Sequence, residues 1–336
     1  MKILQVGPNS IHVSSFISAL SKVEKEIYLL SEEPCDFEGV QKNFLFSFRS
    51  LNPITIQKNT LKIKQLLRDL KPDVIHIHQV NRLAYFVSKI AFNLNIRVIT
   101  TAWGSDVLLI PKQNAFFHFL VKQTLKKSKI VTGDSQDMIL AMQAIFPSKK
   151  YVLLQYGIDP IIALKKEKIV YSNRLHEPLY RIDKIIGYFA EFSKVHPDWK
   201  LIIAGTGSET EKLKALVDAK SISAKTSFVG WQNKPENNTW YAKSSIYISI
   251  PESDGTSVSV LEAMSAACIP VVADLPVSHE WIVSGKNGII ENPNENPLIH
   301  ALTINNENSA RINAKLIIEK ATRDASMKKF IGYYGA

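Results

Sequence analysis

The sequence predicts an α/β protein of two doubly wound domains, each a parallel sheet covered by helices on both faces. Three observations carry this. Short β-rich apolar runs alternate with longer amphipathic stretches, the order that parallel strands with helical crossovers require. The alternation occurs twice, with a lysine-rich, loosely patterned link at 161–168 between the two series. Finally, 336 residues are too many for one ordinary domain and suit two of roughly 100–200 residues each.

The chain opens on MKILQVGPN, a short apolar run leading to Gly7 and Pro8, and residues 2–6 read as the first buried strand. A secretory leader would need a longer apolar core and a small-residue cleavage site. Further strands are predicted at 26–30, 74–78, 97–101, 130–132 and 151–155, with helices at 14–21, 59–70, 83–94, 116–126 and 136–144. Pro72 marks the boundary before 74–78, because the residue preceding a proline is pushed out of helical geometry. A turn at 156–160 closes the first series. The second series runs strand 169–172, helix 182–195, strand 200–204, helix 209–219, strand 226–229, helix 235–243, strand 246–250, helix 257–267 and strand 270–273. One or two helices fill 310–334. The expected domains are therefore 1–163 and 164–309, with helices at 310–336 returning toward the first. Ligands in such folds bind at the carboxyl ends of the strands, so the expected site is a cleft between the two domains.

Composition narrows the function classes. Hydrophobic residues make up 46% and charged residues 21%, a globular balance, and no apolar run approaches the roughly 18 residues that span a bilayer. Cys35 and Cys268 lie far apart in unrelated contexts, which suits reduced thiols in a cytoplasmic protein better than a disulfide framework. The net charge of +10 suits an anionic partner, phosphorylated substrates or an acidic membrane surface, and equally a plain solvated surface, since the charges are scattered through many elements. Nucleic acid is not expected, since zinc-ligand spacing, a basic zipper and RNP-like aromatics are all lacking.

The stretch from 246 to 273, IYISIPESDGTSVSVLEAMSAACIPVVA, is the most informative. A buried strand ends at Pro251, a short polar loop comes next, and a helix is expected to start near Thr256. Gly255 permits close backbone approach, and Thr256, Ser257 and Val258 open the helix. Free first-turn amides and the positive end of the helix dipole together make a diphosphate site. Asp254 stands just outside the helix, able to accept hydrogen bonds from sugar hydroxyls. Glu262 comes after seven intervening residues, about two turns on and near the same face, where its carboxylate suits a ribose diol.

This segment resembles the signature of the retaining GT-B glycosyltransferases of family 4, in which an acid, seven residues and a Glu precede an Ala-Met helix and a Pro-Val-Val strand. Other landmarks stand in order: DVIHIH at 73–78, TAWGSD at 101–106, YGID at 156–159, NRL at 173–175, LIIAG at 201–205, FVG at 228–230 and GKNG at 285–288. The resemblance spans nearly the whole chain. It implies two Rossmann-like domains facing across a cleft, with the acceptor on the first and a nucleotide-sugar donor mainly on the second. Arg174 is then expected at the donor diphosphate with the amides at 255–258, Glu262 at the ribose, Asp254 at the transferred sugar, and Val229, Gly230 and Trp231 at the base. Gly7 and Gly205, at strand ends, are grouped with the donor residues, and His12, Trp103 and Asp106 with the acceptor or sugar pocket. A leaving nucleoside diphosphate develops negative charge, which a cation and aligned amides stabilise in a dry cleft.

Four departures from the family pattern stand out. The first acid of the signature is Asp254 instead of the usual Glu. The lysine that usually comes after the arginine is missing, Tyr180-Arg181 occupying its region, so Arg181 is the candidate second cation, with a different geometry from lysine. The glycine pair of the first loop is replaced by PNSIH at 8–12, and the histidine often facing the sugar is Trp103.

Three weaker signals are set aside. Gly205-Thr206-Gly207 lacks the third glycine and the later acid of a dinucleotide fingerprint. Glu252-Ser253-Asp254 resembles an acid-x-acid metal site, but a magnesium site needs a phosphate partner and a different sheet order, so neither metal nor cofactor is expected. His76 and His78 alternate along an apolar strand with no other ligand cluster, and read as core histidines.

The stretch AFFHFLVKQTLKKSK at 115–129 interleaves phenylalanines with Lys122, Lys126, Lys127 and Lys129, a composition suited to an anionic membrane surface and equally to a helix packed on the sheet. KNFLFSFR at 42–49 forms a second basic, aromatic patch. The expected activity is transfer of a sugar from a UDP- or GDP-linked donor to a glycan or lipid-linked acceptor, in the cytoplasm, with peripheral attachment to the membrane's inner face where the basic patches meet lipid. Two other classes remain open: an epimerase of the same fold drawing on His12, Asp106 or Asp134, and a nucleotide-sugar binder without turnover.

Overall fold

Successive side chains of a strand point to opposite faces, so a strand buried on both sides supplies two cores. Ile3 packs with Phe16, Ile17, Leu29 and Val74 on one face of the first sheet. Its neighbour Leu4 packs with Leu30, Ile75, Ile77 and Val87 on the other. The computed structural model, which describes residues 1–335, has two such sheets in two separate units. Unit 1 comprises Met1–Tyr156 with the chain from Arg323 onward, and unit 2 comprises Gly157–Thr322.

The sheet of unit 1 has seven parallel strands: β1 (Lys2–Val6), β2 (Glu26–Ser31), β3 (Val40–Leu45), β4 (Val74–His78), β5 (Arg97–Thr101), β6 (Ile130–Gly133) and β7 (Tyr151–Leu153). Their order is β3-β2-β1-β4-β5-β6-β7, so the direction of winding reverses between β1 and β4. Unit 2 has six parallel strands: β8 (Glu167–Ser172), β9 (Lys200–Ala204), β10 (Thr226–Gly230), β11 (Ser244–Ser249), β12 (Ile269–Val272) and β13 (Ile289–Ile290). The order β10-β9-β8-β11-β12-β13 reverses between β8 and β11. In open α/β sheets such a reversal opens a crevice beyond the strand ends, where ligands bind.

The division falls at other residues than expected. Ile158 and Ile161 are buried in the core of unit 2, and the Ile158 N–H donates to the Ala321 carbonyl at 2.8 Å. The first boundary therefore precedes them, at Tyr156. Of the terminal helices, Asn306–Lys320 stays with unit 2, Ile317 buried in its core. Only Arg323–Gly335 joins unit 1, its Phe330 fully buried edge-on against Phe16 at 5.0 Å.

A buried polar chain ties this last helix to the strand ends of unit 1. His76 Nδ1 lies 2.6 Å from the Tyr334 hydroxyl and Nε2 lies 2.8 Å from Thr101 Oγ1. His78 lies between Gln5 Oε1 and the Tyr156 hydroxyl, each at 2.6 Å. Burial pushes His78 down to about 3, and burial followed by the neighbouring His78 holds His76 well below its ordinary value. Both imidazoles are thus neutral core groups, satisfied by hydrogen bonds as buried polar atoms must be.

The basic, aromatic stretch at 42–49 forms most of β3 and the loop after it, with Lys42, Leu45 and Arg49 exposed and Phe48 turned inward. Phe48 is buried and stacked on Phe86 at 4.0 Å, and Arg49 is paired with Glu32 at 3.4 Å and Glu33 at 2.6 Å. The next helix begins at Pro53, ahead of the expected 59. Asn52 caps it by accepting from the Ile54 N–H, with proline at the first helical position.

Candidate functional site

Adjacency of β8 and β11 decides the site. Arg174 lies just past the end of β8 and Asp254 in the loop after β11, so the reversal of strand order sets them side by side. Arg174 Nη2 is 2.9 Å from Asp254 Oδ2, and Nη1 donates to Ser257 Oγ at 2.6 Å. The contact with Asp254 is an ion pair without the alignment of a hydrogen bond, and Oδ2 has no hydrogen-bond donor. The guanidinium carbon stands 4.5 Å over the Tyr180 ring. The Arg174 side chain is only 12% exposed. Burial alone would disfavour its charge, but Asp254 and the neighbouring phenols outweigh this and hold the guanidinium more firmly protonated than usual.

Backbone geometry brings Arg174 to this place. Gly205, ending β9, has φ +105°, and a Cβ there would meet the Arg174 carbonyl oxygen at 2.5 Å. Only glycine admits both that conformation and that approach. The preceding Asn173 is held from several sides. It donates to the Tyr241 hydroxyl at 2.7 Å and to Asn237 Oδ1 at 2.8 Å, and it accepts from the Tyr247 hydroxyl at 2.8 Å. Tyr171, Tyr241 and Tyr247 are fully buried, and burial raises all three hydroxyls, Tyr171 and Tyr241 next through Tyr247 and Glu262. Tyr247 reaches about 12, with Arg174 pulling against its burial and Glu262 adding to it. Glu262 therefore lies close enough to act on this phenol cluster.

The helix runs Val258–Ser265, starting slightly later than expected, with Ser257 as N-cap. The Ser257 carbonyl accepts from Val260 and Leu261, both at 3.1 Å, while its hydroxyl makes no capping bond and faces Arg174. First-turn amides of a helix have no acceptor within it, so they are available to an anion at this end. Thr256 is buried and its hydroxyl accepts from Trp281 Nε1 at 3.4 Å, bracing the loop from behind. A recess lies here, lined by Ser249, Asp254, Gly255, Thr256, Val272 and Trp281 among others.

The remaining donor candidates are spread around this centre. The Val229 carbonyl accepts from Gln232 Nε2 at 2.8 Å, the Gly230 carbonyl accepts from the Gly205 N–H at 2.8 Å, and the Trp231 ring is 63% exposed. Arg181 is directed elsewhere. It sits in left-handed geometry at φ +52°, and its Nη2 is 3.1 Å from Glu291. Glu291 also takes Lys184 at 2.6 Å and the Tyr188 hydroxyl at 2.6 Å. A buried carboxylate with this many donors anchors the start of helix Ile182–Val195, and the Arg181 charge is committed to it. Tyr180, which no spacing singled out, is the side chain that reaches Arg174 instead.

In unit 1, Gly7 comes directly after β1 and donates to the Leu30 carbonyl at 3.2 Å. Trp103 donates from Nε1 to the Tyr156 hydroxyl at 3.0 Å and meets the exposed His12 ring edge-on at 5.5 Å. Asp106 is buried and accepts from the backbone N–H groups of Val80 at 2.7 Å and of Trp103 and Gly104 at 2.9 Å. Burial pushes its carboxyl up to about 6 against the pull of those N–H groups. Asp106 thus shapes the loop that carries Trp103, and its oxygens are occupied by backbone.

Among the described residues, no group of three or more His, Cys, Asp or Glu side chains is placed to hold a metal, and no helix is long and apolar enough to cross a membrane. Cys35 and Cys268 are both unbonded.

A buried guanidinium beside a helix start, as unit 2 has here, is chemically suited to an anion. Residues 159–319 match the family model for glycosyl transferases group 1, and residues 2–135 that for glycosyl transferase 4-like proteins. An uncharacterized glycosyltransferase of Haemophilus influenzae is 34% identical over 258 residues, covering 70% of this chain and 67% of that protein. The alpha-monoglucosyldiacylglycerol synthase of Acholeplasma laidlawii is 27% identical over 269 residues, covering 71% and 68%. Among solved structures, Anabaena HepE in complex with UDP and glucose superposes with a TM-score of 0.82 at 12% identity, covering 100% of this chain and 99% of that one. A glycosyltransferase of Rickettsia africae superposes at 0.79 and 17% identity, covering 99% and 97%. The chain belongs to the family 4 glycosyltransferases and has their GT-B fold.

Proposed function

We propose that this glycosyltransferase transfers a hexose-type sugar from a UDP- or GDP-linked donor to a glycan or lipid-linked acceptor, with retention at the anomeric carbon, in the synthesis of envelope polysaccharide or glycoconjugates. The observation that carries the reading is the convergence of Arg174, Asp254 and the start of helix Val258–Ser265 at the carboxyl ends of β8 and β11. Arg174 and the first-turn amides bind the diphosphate and stabilise the charge that grows on it as it leaves. Asp254 takes hydroxyls of the transferred sugar, Glu262 the ribose, and the backbone at Val229–Gly230 the base, beside the exposed Trp231. In this step no side chain serves as general base: the bond from C1 to the phosphate oxygen breaks as the acceptor oxygen bonds to C1 on the same face. The acceptor's proton passes to the departing phosphate oxygen. Trp103 and His12 line the acceptor side. The lipid named in the Acholeplasma relative supports a lipid-linked acceptor, reached from the cytoplasmic face of the membrane.

The test is incubation with a panel of UDP- and GDP-sugars and short glycan or lipid-linked acceptors, read by product mass and by the anomeric coupling in the product's proton spectrum. Transfer from one nucleotide class with an unchanged anomer is expected. An inverted product removes retention, and failure of every such sugar to transfer or hydrolyse removes the donor assignment.

Metal independence belongs to the same reading, in which the Arg174 guanidinium supplies the counter-charge of the Asp254 carboxylate. Activity should persist in excess EDTA. Loss that Mg²⁺ or Mn²⁺ restores would make Glu252-Ser253-Asp254 a metal site after all.

A further inference from the structure

Asp254 and Arg174 neutralise each other at 2.9 Å, yet the donor's diphosphate and its sugar each need one of them. The carboxylate is 23% exposed and its paired oxygen has no hydrogen-bond donor, so the guanidinium's charge is what compensates it. A diphosphate settling on Arg174 and the helix start competes for that guanidinium and brings negative charge up to Asp254. Both effects oppose binding. How strongly they do so depends on the ligand. An intact nucleotide-sugar brings hydroxyls that can donate to the carboxylate and replace the lost partner. A spent nucleoside diphosphate brings none, and leaves a poorly solvated carboxylate beside a second anion.

We infer that Asp254 is a specificity-determining counter-ion: it biases the site against the free nucleoside diphosphate and in favour of the intact donor, so that product leaves readily. The inference rests on the donor placement proposed above. It gives a reason for an acid at 254 beyond holding the sugar, and it sets an unusual sign. Removing the charge should tighten the binding of product while it slows transfer.

Titration calorimetry of the full chain with UDP and GDP, and with UDP-glucose and GDP-mannose, tests this. In Asp254→Asn, whichever free diphosphate binds the unmodified protein should bind about tenfold tighter, the scale of one charge-assisted contact. The intact sugar nucleotide should bind no tighter than before, so the preference for donor over product collapses and product inhibition strengthens in step. Asp254→Glu, which keeps the charge, should retain the preference. In an Arg174→Ala background, the gain from Asp254→Asn should shrink. If Asp254→Asn does not fold, Asp254→Ser gives the same ratios. Weaker diphosphate binding in Asp254→Asn would overturn the inference, showing that Asp254 only braces Arg174. Equal gains for diphosphate and donor, or an undiminished gain without Arg174, would also overturn it, leaving plain repulsion. If no nucleotide binds the unmodified protein, the donor reading falls and this inference with it. If diphosphate binds and Arg174→Ala weakens it while Asp254→Asn changes nothing, only the inference falls.

Discussion

Arg174→Ala is expected to lower turnover by one to two decades while the chain stays folded. Losing one charge-assisted contact to a phosphate costs about 1.5–3 kcal/mol, and each 1.4 kcal/mol is a factor of ten in rate. The contact should matter most where charge accumulates on the leaving group, so kcat should fall and not KM alone. Arg181 and Lys184 do not stand ready as a second cation, because both hold Glu291. Arg174→Lys should recover only part of the loss. A lysine keeps the charge but loses the planar fork that reaches Asp254 and Ser257 together, and with it the stacking over Tyr180. Steady-state kinetics beside a thermal melt check this. Unchanged kinetics in a folded Arg174→Ala protein would remove Arg174 from the site.

What the sequence discloses here depends on how local the interaction is. The strand–loop–helix at 246–265 is local: Asp254, Gly255, Ser257 and Glu262 lie within one turn and one helix, and their roles come from helix geometry. The β8 and β11 strand patterns are local too. Their adjacency is not, because strand order is set by crossovers, and so only the family resemblance, and no residue pattern, brought Arg174 to the 254–258 loop. Non-local partners also explain where expectation and structure part. Arg181 has its carboxylate far along the chain, at Glu291, just past β13. Asp106 is engaged by backbone amides, one of them at Val80, which periodicity does not reveal. Tyr180 reaches Arg174 through a short helical turn at Pro178–Tyr180 that has no repeating pattern to signal it. The stretch at 42–49 shows the same ambiguity in composition. Phenylalanines among basic residues describe a surface or a strand equally well, until Phe86 and Glu33 are known to lie opposite.

The last expected result concerns the membrane. Helix Ala115–Lys127 buries Leu120, Val121 and Leu125 against unit 1 and leaves Phe116 54% and Phe119 47% exposed. Lys122 and Lys126 continue the same exposed stripe, and on the neighbouring helix Arg82–Asn93 the 57% exposed Phe92 lies under Lys127, with Nζ 5.8 Å from the ring centre. Leu120 and Leu125 are thus core, whereas the two phenylalanines are not. With Phe48 of the 42–49 patch buried and Arg49 paired, the lysine and phenylalanine stripe is the surface that we expect to meet lipid. Each lysine near an anionic bilayer gains roughly 1 kcal/mol, and the exposed rings enter the interface. Purified protein should co-sediment with anionic vesicles at low salt, bind neutral ones poorly, and release as salt approaches 1 M, where the Debye length is about 3 Å. Changing Lys122, Lys126 and Lys127 to Glu should abolish sedimentation but spare transfer to a short soluble acceptor, since none of these residues belongs to the donor site. Equal binding to neutral and anionic vesicles would make the contact purely apolar. No binding to either would leave the stripe an ordinary solvated face and count against a lipid-linked acceptor.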